Sequence, residues 1–399
     1  MNNMGESVMG KYSMKTVLLA GFLWCLAIIY TFSSTGLLFY GIALGSFAVF
    51  VYYRFFKYFR YADRFIVKAT LITVSISFFL ALFQLEIVDY LSITISLILP
   101  IVVSTLPLEG IDNSKEWAVP AVVTLVLTYF VIQNNIVDGV SISGLNENSM
   151  AFIGFMSVSL GFFWYKSSNT KILPGVYLII GFLYLTITKC RNVTIVLPLC
   201  FILILIPKKV WKSTVFYRFL YIACLLYTIF TVSLLRDFFN SEWYVYLKSF
   251  IEYFISSKNG AMSTRVTFFE NAISYIDSLP WYTQLFGRGV RFGVHFHNMW
   301  LQSRYIYGYF GTFILYAIFI RIFEMGRILI KNYDDTIALC CVVVLLGHVV
   351  LNGADLYLIG NANPSILPQI VMGVIMFRYN QKITSRESNY ELERNHSRL

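Results

Sequence analysis

Apolar residues in this chain come in blocks of about membrane-spanning length, parted by short polar turns. The blocks cover 16–33, 36–53, 65–83, 90–106, 117–133, 149–165, 171–188, 192–206, 215–235, 303–323, 336–352 and 365–379. They predict about twelve transmembrane helices. The runs are unbroken where a membrane β-barrel would alternate apolar and polar residues, which excludes that class. The separation is thinnest within 171–206, where only Lys189–Asn192 parts two blocks. No repeat and no soluble domain stands out, so the expected fold class is an all-α polytopic integral membrane protein with one membrane domain over 1–399. Past Thr384 the chain turns polar, and 385–399 reads as a disordered cytoplasmic tail.

Composition agrees with this pattern and changes the reading of the charge. The chain is 58% hydrophobic and only 13% charged, with 18% aromatics and a mean hydropathy of +0.68. Tyr and Trp suit the many membrane–water boundaries of such a fold. In a soluble protein the net charge of +10 would point to nucleic acid. Here most of the Lys and Arg fall on one set of alternate loops when the N-terminus is placed inside, so the charge reads as the positive-inside bias and no nucleic-acid partner is implied. Both termini are then cytoplasmic. The cysteines (Cys25, Cys190, Cys200, Cys224, Cys340 and Cys341) lie in or beside apolar blocks without metal-ligand spacing. They read as small core residues.

One outer segment, 236–302, is too long and too patterned for a linker. Its first part, Glu242 to Ile255, places Trp243, Tyr246, Leu247, Phe250, Ile251 and Phe254 at helical spacing, which predicts an amphipathic helix. Its second part opens at Ser263, a candidate N-cap. Val266, Phe269, Ile273 and Ile276 follow on one face until Pro280. A turn-rich run with Gly287, Gly289 and Gly293 then leads to His295, His297 and the next block.

Candidate chemistry gathers on this outer side. Lys189 and Arg191 sit where positive charge is disfavoured, at the outer ends of two spans; snorkelling to head groups explains them about as well. Arg265, Arg288 and Arg291 are fixed cations whose planar forks suit phosphate, and the nearby glycines would let backbone approach an anion. Taken alone, such a loop is better explained as a solvated face; with Arg191 it points to an electropositive pocket facing a lipid-borne anion. His297, with His295 and Asn298 beside it, could act as acid, base or donor. If the following span starts near His297, Leu301, Arg304 and Gly308 share its face, and Gly308 and Gly311 allow close packing. No DxD or HExxH motif occurs on the outer side, so no metal is implied.

From His297 the chain reads HNMWLQSRYIYGYFGT: His-Asn, nine residues, Gly, two residues, Gly-Thr. This resembles the signature of the O-antigen polymerase and O-antigen ligase superfamily (Wzy-type and WaaL-type membrane proteins). The resemblance extends to Arg191 in TITKCRNVTI, to STRVTFFENAISYI followed by LFGRG, and to NENSMAFIGF, covering about 145–325. It implies a GT-C-like membrane glycosyltransferase that needs no metal and no cofactor, working at the periplasmic face of the bacterial inner membrane. The implied donor and acceptor are glycans on undecaprenyl pyrophosphate, with membrane lipids, a chain-length regulator and a flippase as further partners. By the same resemblance Arg191 and Arg265 correspond to the family's pyrophosphate-binding arginines, and His297 to its histidine. Arg288, Arg291, His295, Asn298, Lys189 and Arg304 are the supporting substrate-binding candidates. Polymerase is preferred over ligase on length and aromatic content, while the His-Asn pair favours a ligase. A lipid-linked oligosaccharide transporter is the alternative from another class. Pro100, Pro120, Pro174 and Pro198 lie inside spans as such a protein would need, although the expected mid-span charges are missing.

Overall fold

A helix that is apolar all round has no face to give to water and must be covered by other helices or by lipid. Thr336–Leu351, TIALCCVVVLLGHVVL, is such a helix, and it forms the centre of the computed structural model. The structure describes residues 12–13, 62–84, 87–105, 108–109, 117–126, 136–137, 140–141, 147–187, 191–239, 261–289, 296, 298–353 and 366–396. In chain order the described helices are α1 (Arg64–Gln84), α2 (Ile87–Ser104), α3 (Trp117–Val126), α4 (Glu147–Ser167), α5 (Ile172–Ile187), α6 (Arg191–Leu205), α7 (Lys208–Trp211), α8 (Thr214–Phe239), α9 (Ala261–Ser278), α10 (Trp281–Phe286), α11 (Met299–Tyr333), α12 (Thr336–Leu351) and α13 (Ile366–His396). The described strands are two-residue pairings, Tyr12–Ser13 with Leu108–Glu109 and Ile136–Val137 with Val140–Ser141.

The central helix α12 packs against α4, α6, α8, α11 and α13. Small residues set the closest approaches. A side chain at Gly347 would meet Cys200 Sγ at 2.5 Å and the Phe155 ring at 2.9 Å. The Cys200 thiol also lies 3.8 Å from the Val343 carbonyl. A side chain at Gly347 would also meet Val196 Cγ1 at 3.5 Å, so residue 343 lies beside 200 while residue 347 lies between 200 and 196, and α6 and α12 run antiparallel. One further turn brings the start of α6 level with Leu351. The expectation of small core cysteines holds for Cys200, Cys340 and Cys341, which are buried thiols.

Helices cover most of each described apolar block, from 65–83 to 365–379; the blocks 16–33 and 36–53 and the expected helix at Glu242–Ile255 lie outside the described residues. By length and composition, Arg64–Phe83 and Thr214–Thr231 are long and apolar enough to cross a membrane. The outer faces carry large apolar side chains in the open: Phe79 and Phe83 on α1, Ile179 and Leu183 on α5, Ile195 and Ile202 on α6, Phe219 and Phe230 on α8.

Charges close one end of the bundle. Arg321 pairs with Asp63 at 2.9 Å. Arg218 and Arg327 both reach Glu324, at 2.8 and 2.7 Å. Lys208 and Lys212 meet Asp334. Arg378 meets Asp335, which also caps α12 through Ala338 N. The tail expectation needs correction: α13 stays helical to His396, through 385–396. No Gly or Pro interrupts the chain beyond Gly373, and Gln381, Lys382, Arg386, Glu387, Glu391 and Arg394 are good helix formers.

Candidate functional site

The opposite end of the bundle is organised by one amide. Asn298 is fully buried and caps α11, its Oδ1 accepting from Leu301 N at 3.0 Å. Its Nδ2 donates to the carbonyls of Thr228 at 3.0 Å and Gly353 at 2.8 Å. Met299 N donates to the Asn352 carbonyl at 2.8 Å. The start of α11 is thereby tied to α8 and to the end of α12. Gln302, one turn on and also buried, reaches back and accepts from Phe296 N at 3.0 Å.

Ten residues into α11 the helix breaks. Gly308 holds φ +65° and ψ −174°, backbone open to glycine and strained for other residues. The sequence reading had made Gly308 a packing glycine on a continuous span; it is instead the discontinuity. Two carbonyls of the turn before the break, Tyr305 and Ile306, accept from Arg288 N at 3.0 Å and Gly289 N at 2.8 Å. The LFGRG turn is thus plugged into the broken helix. A side chain at Gly287 would overlap the Ile306 carbonyl, and one at Gly289 would meet Ser77 O of α1 at 2.5 Å. This explains why glycine is needed on both sides of Arg288.

The two described arginines of the site grip the same helix, α9. Arg288 stacks on the Tyr305 ring, 5.7 Å from its centroid, and its Nη1 lies 3.4 Å from Tyr275 OH. Arg304 is 7% exposed. Its Nη2 donates to Asp277 Oδ1 at 2.7 Å, and its guanidinium lies 4.3 Å from the centre of the Tyr309 ring. Among the described residues the Arg304 Nε has no hydrogen-bond partner. α9 itself is the helix expected from Ser263, begun two residues earlier at Ala261. Phe269, Ala272 and Ile276 form its buried face.

The structure therefore brings Arg288, Asn298 and Arg304 to one end of the bundle, with the start of α6 at the same level. The Asn298 amide is fully used inside the protein, and the Arg304 charge is matched by Asp277 through one of its nitrogens. Arg191 and Arg265 lie on described backbone, at the start of α6 and in the first turns of α9, with side chains outside the described set. Lys189, Arg291, His295 and His297 lie outside the described residues. Sequence reasoning missed Gln302 and Asp277. The first had a signal, since it stands four residues after Asn298 on the same helical face. The second had none, because Asp277 meets Arg304 only through the fold.

Compared with known proteins, the chain matches no protein-family model, no curated protein and no solved structure.

Proposed function

We propose that this protein is a multi-pass membrane glycosyltransferase that polymerises lipid-linked oligosaccharide repeat units, undecaprenyl pyrophosphate being the carrier. The reading places it in a bacterial inner membrane with its site on the periplasmic side. The observation that carries it is the convergence at one bundle end of the Asn298 anchor, the Arg288 turn plugged into a broken helix, and the start of α6 that bears Arg191. Fixed arginines can stabilise the charge that grows on a departing pyrophosphate. The residue before Asn298, His297, would take the proton of the attacking hydroxyl or orient it. The new glycosidic bond forms at the anomeric carbon as the bond to pyrophosphate breaks, and the lipid pyrophosphate leaves. The twelve-span topology is supported by the open apolar faces of α1, α5, α6 and α8, which a water-soluble surface rarely carries. It is also supported by the gathering of ion pairs at the far end, the side read as cytoplasmic.

The test is made in cells lacking the gene, complemented with wild type, Arg265→Ala or His297→Ala. Surface polysaccharide is separated on a gel. Core lipid carrying a single repeat unit in the deletion strain, and no ladder from either variant, is the expected result. Capped chains that vanish while lipid-linked polymer builds up would make it a ligase. A full ladder from both variants at normal membrane levels would overturn the site. The transporter reading draws on one observation, the Gly308 break, since discontinuous helices are common in transporters.

A further inference from the structure

At the end of the bundle away from the candidate site, lysines crowd the start of the central helix. The Phe155 ring of α4 meets the His348 ring of α12 edge-on, centroids 5.0 Å apart, and the Cys340 thiol lies 3.6 Å from the Phe162 carbonyl. The two helices therefore run antiparallel, and one further turn puts Lys166, at the end of α4, beside Thr336, the first residue of α12. Lys208 of α7 comes to the same point, its Nζ donating to Thr336 Oγ1 at 2.7 Å. Two cations thus flank a helix start, where the helix dipole is positive as well. The carboxylates nearby are already engaged. Asp334 is shared by Lys208 and Lys212 at 3.3 and 3.0 Å, and Asp335 by Arg378 and Ala338 N. Among the described residues no carboxylate pairs with Lys166, which is half-buried. Burial lowers its pKa from the ordinary 10.5, and the charges of Lys171 and Lys208 lower it further, against an opposing pull from Cys340. Lys171 is itself tied down, donating to the carbonyls of Tyr165 at 2.6 Å and Ser168 at 2.5 Å.

We propose that the corner formed by Lys166, Lys208 and Thr336 binds the phosphate of an anionic phospholipid, whose acyl chains lie on the open faces of α5 and α6. The charge is complementary: the corner holds more cations than its carboxylates answer, and the Thr336 hydroxyl hydrogen can be donated to a phosphate oxygen. The apolar surface begins where the cations stop. Ile172 and Leu173, next to Lys171, stand in the open at the start of α5, and Ile202 and Leu205, just before Lys208, do so at the end of α6. These two helices pack on each other, and the Tyr165 and Phe201 rings, centroids 6.2 Å apart, join α6 to α4. A head group at the corner would therefore have its chains over apolar side chains, whereas a free phosphate would use the cations alone. Basic pockets between helices on the cytoplasmic side suit such head groups. The proposal rests on the reading of the chain as a membrane protein and is independent of glycosyl transfer.

The experiment uses full-length protein, purified in detergent and stripped of lipid. Phosphatidylglycerol, phosphatidylcholine and inorganic phosphate are added in turn, and binding is read by native mass spectrometry and by the unfolding temperature. Phosphatidylglycerol should bind and raise the unfolding temperature, and the other two should do neither. Lys166→Gln should weaken phosphatidylglycerol by about fivefold, and Lys166→Glu by about 25-fold. Without lipid both variants should unfold at or above the wild-type temperature, because like charges at the corner no longer repel. Lys68→Gln, on the exposed side of α1, should bind as wild type does. Equal binding of phosphatidylcholine would overturn the head-group claim. Equal stabilisation by inorganic phosphate would make the corner a soluble-anion site and overturn the lipid. Wild-type affinity for phosphatidylglycerol in both Lys166 variants would place the lipid elsewhere. If both variants unfold below wild type without lipid, Lys166 is a structural group and the proposal falls. A protein that stays monomeric in water without detergent would overturn the membrane reading itself.

Discussion

Replacing Gly308 with alanine is the sharpest test of the broken helix. A Cβ there would overlap the Leu285 carbonyl and the Phe286 amide, which are backbone atoms of α10 and cannot swing aside as a side chain would. Two responses are open. If the backbone keeps φ +65°, the residue holds a conformation that costs about 1–3 kcal/mol for anything but glycine, and α10 must retreat by roughly 1 Å to restore ordinary contact. That movement breaks the bonds from Arg288 N and Gly289 N to Tyr305 O and Ile306 O, each worth about 1 kcal/mol. The sum is about 3–5 kcal/mol. If α11 instead straightens, the strain disappears, but the same two carbonyls turn into the helix and the LFGRG turn loses its dock. Either way Arg288 leaves the Tyr305 ring. Gly175→Ala in α5 is the control. The nearest atom to a Cβ there is 4.0 Å away, on Tyr165, so its effect should be within about 1 kcal/mol of neutral. Thermal unfolding of detergent-purified protein, with limited proteolysis between α9 and α11, reads both variants. A Gly308→Ala protein that unfolds with wild type, and cuts no faster at 281–289, would refute the argument.

Further outcomes follow from the charged and buried groups. Burial alone would raise the Glu324 pKa, but hydrogen bonds from Arg218, Arg327 and Tyr221 outweigh it and hold the carboxyl at about 2, below its ordinary 4.5. Its stabilising effect is therefore complete above about pH 4.5 and fades as pH falls towards 2; Glu324→Gln should flatten the acid limb of the stability profile, and an unchanged limb would rule this pair out as its source. Asp277→Asn should loosen α9 by about 1–2 kcal/mol, because it strips the buried Arg304 guanidinium of its partner charge; hydrogen exchange along α9 that matches wild type would count against the latch. His348 is fully buried against Phe155, and among the described residues neither ring nitrogen has a partner. His348→Leu should thus raise stability by about 1–3 kcal/mol, and a clear fall in unfolding temperature would show that the imidazole has a partner in the working protein.

Helical content was legible in the sequence because apolar runs long enough to span a membrane leave the backbone no partner but itself. Apart from α7, α9 and α10, the described helices accordingly overlap the apolar blocks. Which apolar run lies at the centre was not legible: α5 is as apolar as 336–352 yet leaves Ile179 and Leu183 in the open. The outer loop helix was readable from the spacing of Phe269, Ile273 and Ile276 and from its stop at Pro280. Other features were fixed only by contacts between distant elements. Gly308 looks in the sequence like any small residue of a packed helix; it becomes a break because Gly287 and α10 press against it, and freed carbonyls find donors in Arg288 and Gly289. Arg304 looks like a free cation until α9 delivers Asp277. Asn298 looks like a ligand group until Thr228, 70 residues before it, and Gly353, 55 residues after it, take its two hydrogens. Local order follows from short-range pattern, whereas the partner of a buried polar group is chosen by whichever distant backbone the packing brings within 3 Å.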